Sequence, residues 1–198
     1  MKRYLMILIA STTAFGSACD SPTFADERGA GPTRKPDVIF VPTPEPVVEK
    51  MLTMAKVGPN DVVYDLGCGD GRIPIAAVRD FRAKSAVCID IDPQRVKEAR
   101  ANVKRAGLED KVEVRHADMF LVDTSPATVV TLYLLPELNV RLRPKLLKEL
   151  PNGARIVSQS FDMGDWQPVA KAEVGDKTVY LWNVKNKNTA AARRAPAK

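Results

Sequence analysis

Short apolar runs and longer amphipathic segments alternate through the middle of the chain. The runs are about six residues long and rich in β-branched side chains, which is typical of buried strands. The longer segments carry apolar residues three and four positions apart, which is the spacing of an α-helix. Strands are predicted at 61–66, 85–91, 111–116, 127–132, 153–159 and 178–184, and helices at 44–57, 72–82, 93–106 and 138–150.

This alternation predicts the fold class. Strands that alternate with helices form βαβ units, so we expect an α/β fold with a Rossmann-like, mostly parallel sheet and helices on both faces. Right-handed crossovers then place a ligand at the carboxyl ends of the strands. The region after the fifth strand is short and polar, which predicts a loop and then a strand at 170–174 that pairs with 178–184. Pro144 is expected to break or offset the fourth helix.

Residues 1–25 have the pattern of a targeting segment. Two basic residues precede a short apolar run and then a stretch of small residues, which predicts a signal peptide or a membrane anchor. A cleavage site fits after Ala25, or before Cys19 as in a lipoprotein. The protein is therefore expected to be exported or membrane-anchored. It is expected to be cytoplasmic if the N-terminus is misassigned or the domain faces inward.

The remaining chain divides into three parts. Residues 26–43 have the composition of a linker, 44–184 form the expected folded domain, and 185–198 read as a disordered basic tail. The formal net charge is +6, and the tail alone holds five basic residues and no acid. Residues 26–184 hold 23 basic and 23 acidic residues, so the domain itself is neutral. This distribution does not indicate a nucleic-acid-binding face, and no nucleic-acid partner is expected.

A glycine-rich loop follows the first predicted strand and opens the second helix. Gly67, Gly69 and Gly71 permit unusual φ angles and let a ligand approach the backbone closely. Asp90 ends the next strand, 19 residues after Gly71, where a carboxylate is placed to bind ribose hydroxyls. Strand, loop, helix and terminal acid together predict a site for a cofactor that contains a nucleoside.

The charges around the loop distinguish between two such cofactors. A dinucleotide site usually has a third glycine where this chain has Arg72. Asp65 and Asp70 would repel a diphosphate, whereas they suit a ligand that carries an ammonium and a sulfonium. S-adenosyl-L-methionine (SAM) carries both groups, and its ribose suits Asp90. The residues therefore favour SAM over a nicotinamide dinucleotide.

The loop also resembles a known family. Residues 65–71 resemble motif I of the class I, seven-β-strand SAM-dependent methyltransferases. Three further strings, at 40–44, 131–136 and 161–166, are similar to a group of protein-lysine methyltransferases. That group includes the mitochondrial enzymes that modify the adenine nucleotide translocase and the ATP synthase c-subunit. The resemblance covers 38–184, and it implies SAM as cofactor and a protein lysine as methyl acceptor.

The resemblance also implies roles for individual residues in cofactor binding. The cofactor would contact Asp65, Gly67, Gly69, Gly71, Asp90 and Asp118. The first four would line its methionine end, Asp90 would hold the ribose hydroxyls, and Asp118 would accept from the adenine amino group. A structural role for Asp118, in an Asx-turn after a strand, is the alternative.

The methyl acceptor is expected beside the fourth strand. A lysine nucleophile must be neutral, which a desolvated, aromatic-lined channel favours. Tyr133 and Trp166 are the candidate walls of this channel, and Asp162 or Asp165 is placed to orient the amine. Both aromatic residues are equally explained as ordinary packing side chains. The Asn/Asp-Pro-Pro-Tyr string found in methyltransferases that act on planar nitrogens is absent, which disfavours adenine or glutamine as acceptor.

Several alternatives stay open at this point. Cys68 and Cys88 read as buried small apolar residues, although export would allow them to pair. The chain has one histidine and no Cys/His cluster, so no metal site is expected. A methyltransferase acting on a small or membrane-associated molecule, or a non-catalytic SAM-binding protein, would share the same motif. Export also conflicts with a cofactor that is made in the cytoplasm.

Overall fold

The fold was obtained as a computed structural model, which describes residues 35–185. The strands are β1 (Val62–Leu66), β2 (Ser85–Asp90), β3 (Val112–His116), β4 (Val129–Leu132), β5 (Arg155–Gln159), β6 (Ala170–Val174) and β7 (Lys177–Asn183). The helices are α1 (Glu45–Met54), α2 (Arg72–Arg79), α3 (Pro93–Arg105) and α4 (Pro136–Glu149). Every predicted strand and helix of the domain is present, with ends that differ by a few residues.

The seven strands form one sheet in the order β3-β2-β1-β4-β5-β7-β6. The pairs among β1 to β5 are all parallel, and β7 runs antiparallel to both β5 and β6. The strand order reverses between β1 and β4, which is the switch point where open α/β sheets bind their ligands. The predicted Rossmann-like α/β fold is confirmed.

Two apolar cores hold the helices against the sheet, one on each face. Side chains of α1 and α2 pack on one face, where Met51 is fully buried, and α4 packs on the other, where Leu142 is fully buried. The strands supply the β-branched residues that lie between these helices. This layering fixes the positions of the loops at the carboxyl edge of β1, β2 and β4.

Two expectations about the second half of the domain have different outcomes. The hairpin of β6 and β7 is confirmed, and the region between Gln159 and Ala170 holds no helix. The expected break at Pro144 is wrong, because α4 runs through it. Leu142 and Leu146 lie on either side of the proline and are both fully buried. Their packing outweighs the one hydrogen bond that the proline removes.

The predicted targeting segment and the predicted C-terminal tail lie outside the described residues. Within 35–185, no helix is long and apolar enough to cross a membrane.

Candidate active site

A cavity of about 400 Å³ opens at the carboxyl ends of the central strands. Its walls come from the loops after β1, β2, β3, β4 and β5 and from residues 36–43, which precede α1. Six aspartates and two arginines line it. This excess of carboxyl groups suits a cationic ligand and opposes a polyphosphate.

The glycine loop after β1 forms one wall, and its backbone requires glycine. Gly67, Gly69 and Gly71 have φ angles of 83°, 56° and 80°, a region that side-chain-bearing residues rarely adopt. A Cβ atom on Gly69 would lie 2.2 Å from the Phe40 ring, so that ring rests directly on the loop. Gly67 itself lines the cavity, whereas Gly69 and Gly71 shape the loop and begin α2.

Asp65, the last residue but one of β1, is buried under this loop. Its Oδ1 accepts a 2.6 Å hydrogen bond from Thr131 Oγ1, on the neighbouring strand β4. Its Oδ2 has no hydrogen-bond partner among the described residues. Burial raises the pKa of Asp65 to about 7, with a smaller contribution from the charges of Asp90 and Asp70. A buried carboxyl with an unpartnered oxygen in a ligand cavity is suited to bind an ammonium group.

Asp90 lies at the end of β2 and connects the neighbouring loops. Its Oδ2 accepts from the Gly69 backbone N–H at 2.8 Å, and its Oδ1 accepts from the Asp92 N–H at 2.9 Å. Partial burial raises the pKa of Asp90, while these N–H groups oppose the shift. A carboxylate oxygen can accept two hydrogen bonds, so each oxygen of Asp90 keeps capacity for a ribose hydroxyl.

Asp118 also lines the cavity, beyond β3. Its Oδ1 accepts from the Phe120 N–H at 2.9 Å, which is the Asx-turn that was one of its two predicted roles. The position is compatible with the adenine contact, which stays a prediction.

The glycine loop carries a disulfide bond that the leading interpretation of the sequence missed. Cys68 and Cys88 are joined, with their Cα atoms 5.3 Å apart, so the description as two separate apolar residues is wrong. In the sheet, Cys88 pairs with Asp65, three residues before Cys68, and the loop folds back over β2. The bond therefore ties the cofactor loop to the strand that ends in Asp90.

Residues 36–43 lie against the cavity although their composition is that of a linker. Thr43 is buried, and its carbonyl accepts from Arg72 Nη1 at 2.9 Å. Arg72 also forms a two-pronged ion pair with Asp70. At the other end, the Arg95 guanidinium stacks over the Phe40 ring at 4.8 Å. The sequence analysis considered Arg72 only as the residue that stands in place of a third glycine, and it missed this anchoring role.

Tyr133 lines the cavity just after β4, and its place in an acceptor channel stays a prediction. Its ring stacks on that of Phe161, a residue the sequence analysis did not single out, with centroids 6.5 Å apart. Phe161 follows Ser160, whose φ of 65° is strained for a residue that carries a side chain. The buried Asn139 side chain holds this turn by donating to the carbonyls of Phe161 and Asp162 at 3.2 and 3.1 Å. An aromatic pair thus faces the cavity from two loops.

The other candidate acceptor-site residues do not line the cavity. Trp166 packs against Trp182, and its carbonyl accepts from the Trp182 indole N–H at 2.7 Å. Asp162 is exposed and accepts from the Gly164 N–H, and Asp165 is paired with Arg143. The structure therefore brings Tyr133 to the cofactor residues and leaves these three beside the cavity. Their catalytic roles stay predictions.

Comparison with known proteins agrees with this site. Residues 65–170 match the family model described as the ANTKMT methyltransferase domain. The chain is 49% identical over 151 residues to a protein-lysine N-methyltransferase of Saccharolobus islandicus, covering 74% of this chain and 94% of that protein. It is 36% identical to the adenine nucleotide translocase lysine N-methyltransferase of Mus musculus. That match covers 69% of this chain but only 59% of the mouse protein.

The solved structure of a similar protein indicates the cofactor. The crystal structure of a protein described as an RNA methyltransferase from Salinibacter ruber, in complex with S-adenosyl-L-homocysteine, is 52% identical to this chain. The TM-score is 0.73, and the match covers 74% of this chain and 95% of the other. The buried, unpartnered oxygen of Asp65 and the acidic cavity fit the ammonium and sulfonium of SAM. The chain belongs to the ANTKMT methyltransferase family and is a SAM-dependent methyltransferase of the class I fold.

Proposed function

We propose that this enzyme transfers a methyl group from SAM to the side-chain nitrogen of a lysine in a protein. The observation that carries the proposal is the cavity, which is lined both by carboxyl groups, among them the buried Asp65, and by the stacked rings of Tyr133 and Phe161. The name of the Saccharolobus islandicus relative, matched over 94% of its length, supports a lysine acceptor.

Methyl transfer from SAM requires little acid–base catalysis by the protein. Bound SAM supplies an electrophilic methyl group, which passes to the neutral amine as the carbon–sulfur bond breaks and the carbon–nitrogen bond forms. The amine must lose its proton first, and the apolar faces of Tyr133 and Phe161 favour the neutral form by excluding water. Asp65 would hold the ammonium end of the cofactor and Asp90 would hold its ribose hydroxyls, so that the methyl group and the nucleophile are aligned.

RNA is the second candidate acceptor, because the Salinibacter ruber protein is described as an RNA methyltransferase. The charges of this chain oppose it. The cavity has six aspartates against two arginines, and residues 26–184 carry no net charge. RNA binding requires basic groups for the phosphates, and the excess of basic residues here lies in 185–198.

We also propose that the protein is exported or membrane-anchored through residues 1–25. The Cys68–Cys88 disulfide supports this, because such bonds persist in oxidising compartments and are rare in the cytosol. Export raises the question of how SAM reaches the enzyme. Fractionation of the source cells, with thiol labelling under native redox conditions, tests the proposal. A cytoplasmic protein with two free thiols would contradict it.

Tritium-labelled SAM tests the acceptor. The full chain is incubated with fractionated lysate of the source cells, and the products are treated separately with protease and with ribonuclease. We expect label that is released by protease and survives ribonuclease. Asp90→Asn abolishes the label, whereas Asp176→Asn, an exposed carboxyl in the β6–β7 turn, does not. Label that ribonuclease releases would favour the RNA acceptor, and label in small molecules or lipid would favour the alternative substrates.

A further inference from the structure

Large apolar side chains are exposed around the mouth of the cavity. Eight such residues are exposed in the described part of the chain, and four of them line this one cavity. These four, Ile39, Phe40, Val41 and Leu135, are called the apolar rim. The other four, Leu121, Val140, Leu147 and Val169, do not line the cavity. Scattered exposed apolar residues are ordinary on a protein surface, whereas a cluster at one site marks a binding surface.

The segment before α1 is held so that two of its side chains point outward. Val38 packs against the core beneath α4, Phe40 rests on Gly69, and Thr43 is bound by Arg72. Between these anchors, Ile39 is 85% exposed and Val41 is 48% exposed. The anchors therefore fix the backbone while both aliphatic side chains remain in solvent.

Leu135 adds to the apolar rim from a different segment, the loop between β4 and α4. It follows Tyr133 by two residues and precedes α4, and it is 44% exposed. Exposed apolar side chains from two segments thus line the cavity, together with six aspartates, of which Asp65 is buried. A ligand that is complementary to this surface carries a single cationic side chain with apolar residues beside it.

We infer that the apolar rim binds the residues that flank the acceptor lysine, so that the preferred substrates are protein segments in which apolar residues surround a lysine. This inference rests on the proposed lysine acceptor and adds its sequence context. The acceptor nitrogen must pass the apolar rim to reach the methyl group, so the residues beside it must lie against Ile39, Val41 and Leu135.

Two sets of peptides test the inference with the full chain. Both sets carry one central lysine and equal net charge, with leucine and valine flanks in one set and serine and glutamine flanks in the other. We expect each apolar flanking side chain to raise kcat/KM about tenfold over its polar counterpart. This factor corresponds to partial burial of one large aliphatic group. Ile39→Ser and Leu135→Ser reduce this preference through KM. The matched control Leu121→Ser leaves it unchanged.

The outcomes distinguish this inference from the proposed function. Equal methylation of both sets, or a preference that Ile39→Ser and Leu135→Ser leave intact, overturns the inference and leaves the lysine acceptor standing. Methylation of neither set, with SAM bound, counts against the lysine acceptor itself. Anionic lipid vesicles are the third probe. Vesicle binding that depends on Ile39 and Leu135, without a peptide preference, shows that the apolar rim meets a membrane instead.

Discussion

Asp65 is the residue at which stability and cofactor binding oppose each other. Asp65→Asn keeps the size of the side chain and the oxygen that accepts from Thr131, but it removes the buried negative charge. The pKa of Asp65 is raised from 3.8 to about 7 by burial, so ionising this carboxyl costs the folded protein free energy. We therefore expect Asp65→Asn to stabilise the protein at alkaline pH and to weaken SAM binding.

The magnitude follows from the pKa shift. The rise of this pKa from 3.8 to about 7 corresponds to about 4 kcal/mol at about pH 8, where Asp65 is ionised in both the folded and the unfolded protein. The buried amide of asparagine leaves an N–H group without an acceptor, which costs about 1–3 kcal/mol. The net expectation is a gain of about 1–3 kcal/mol in the free energy of unfolding.

The pH dependence of the free energy of unfolding independently checks the sign of this stability change. Because the folded pKa of Asp65 lies above the unfolded value, the folded wild-type protein binds more protons and loses stability as pH rises from 3.8 to about 7. The asparagine variant lacks this dependence. The advantage of the variant should therefore shrink by about 3 kcal/mol between about pH 8 and about pH 5.

Urea unfolding at both pH values measures the stability, and titration calorimetry with SAM measures the affinity. We expect SAM to bind the variant about 10–100-fold more weakly, because one hydrogen bond to a charged group is lost. Asp176→Asn is the control, since that carboxyl is exposed on the surface. A variant that is less stable than wild type by the same amount at both pH values, or that binds SAM normally, would refute the reasoning.

Three further perturbations have defined outcomes. Replacing Cys68 and Cys88 by alanine removes a bond across 20 residues, and it should lower the free energy of unfolding by about 3 kcal/mol, measured in urea. Gly69→Ala should abolish SAM binding in calorimetry, because its Cβ meets the Phe40 ring and its φ is positive, and Phe40→Ala should restore part of it. Tyr133→Ala should keep SAM affinity but lower kcat with a protein acceptor, because it removes the ring that excludes water from the amine, and an unchanged kcat would remove Tyr133 from the mechanism.

The fold was predictable because its signals are local. Each strand and helix has its own periodicity, and the glycine loop follows a strand and opens a helix within a few residues. The cofactor site follows from the same segment, because parallel strands place Asp65 and Asp90 at one edge of the sheet. The charges of these residues were enough to favour SAM.

The parts that were missed depend on tertiary contacts. The disulfide needs Cys68 to fold back over β2, and the spacing of the two cysteines does not report that distance. Phe161 reaches Tyr133 through the strained turn at Ser160, which Asn139 of α4 holds in place. Both contacts depend on how a loop folds after its strand ends, which the periodicity of the sequence does not report.

Composition also hid the role of the segment before α1. Glycine, proline and charged residues at 26–43 have the pattern of a linker. The segment lies along the cavity because Arg72 binds the Thr43 carbonyl and Phe40 rests on a glycine that has no side chain to displace it. A signal for this existed, since residues 40–44 belong to the strings that resemble the lysine methyltransferases.

The central claim is that the methyl group reaches a lysine nitrogen of a protein. The most direct measurement uses SAM with a trideuterated methyl group, the full chain and total protein and RNA of the source cells, followed by complete hydrolysis and mass spectrometry of amino acids and nucleosides. Deuterated methyl-lysine that appears with the wild-type enzyme and is absent with Asp90→Asn is the predicted result. Deuterium in nucleosides, with none in lysine, would contradict the account.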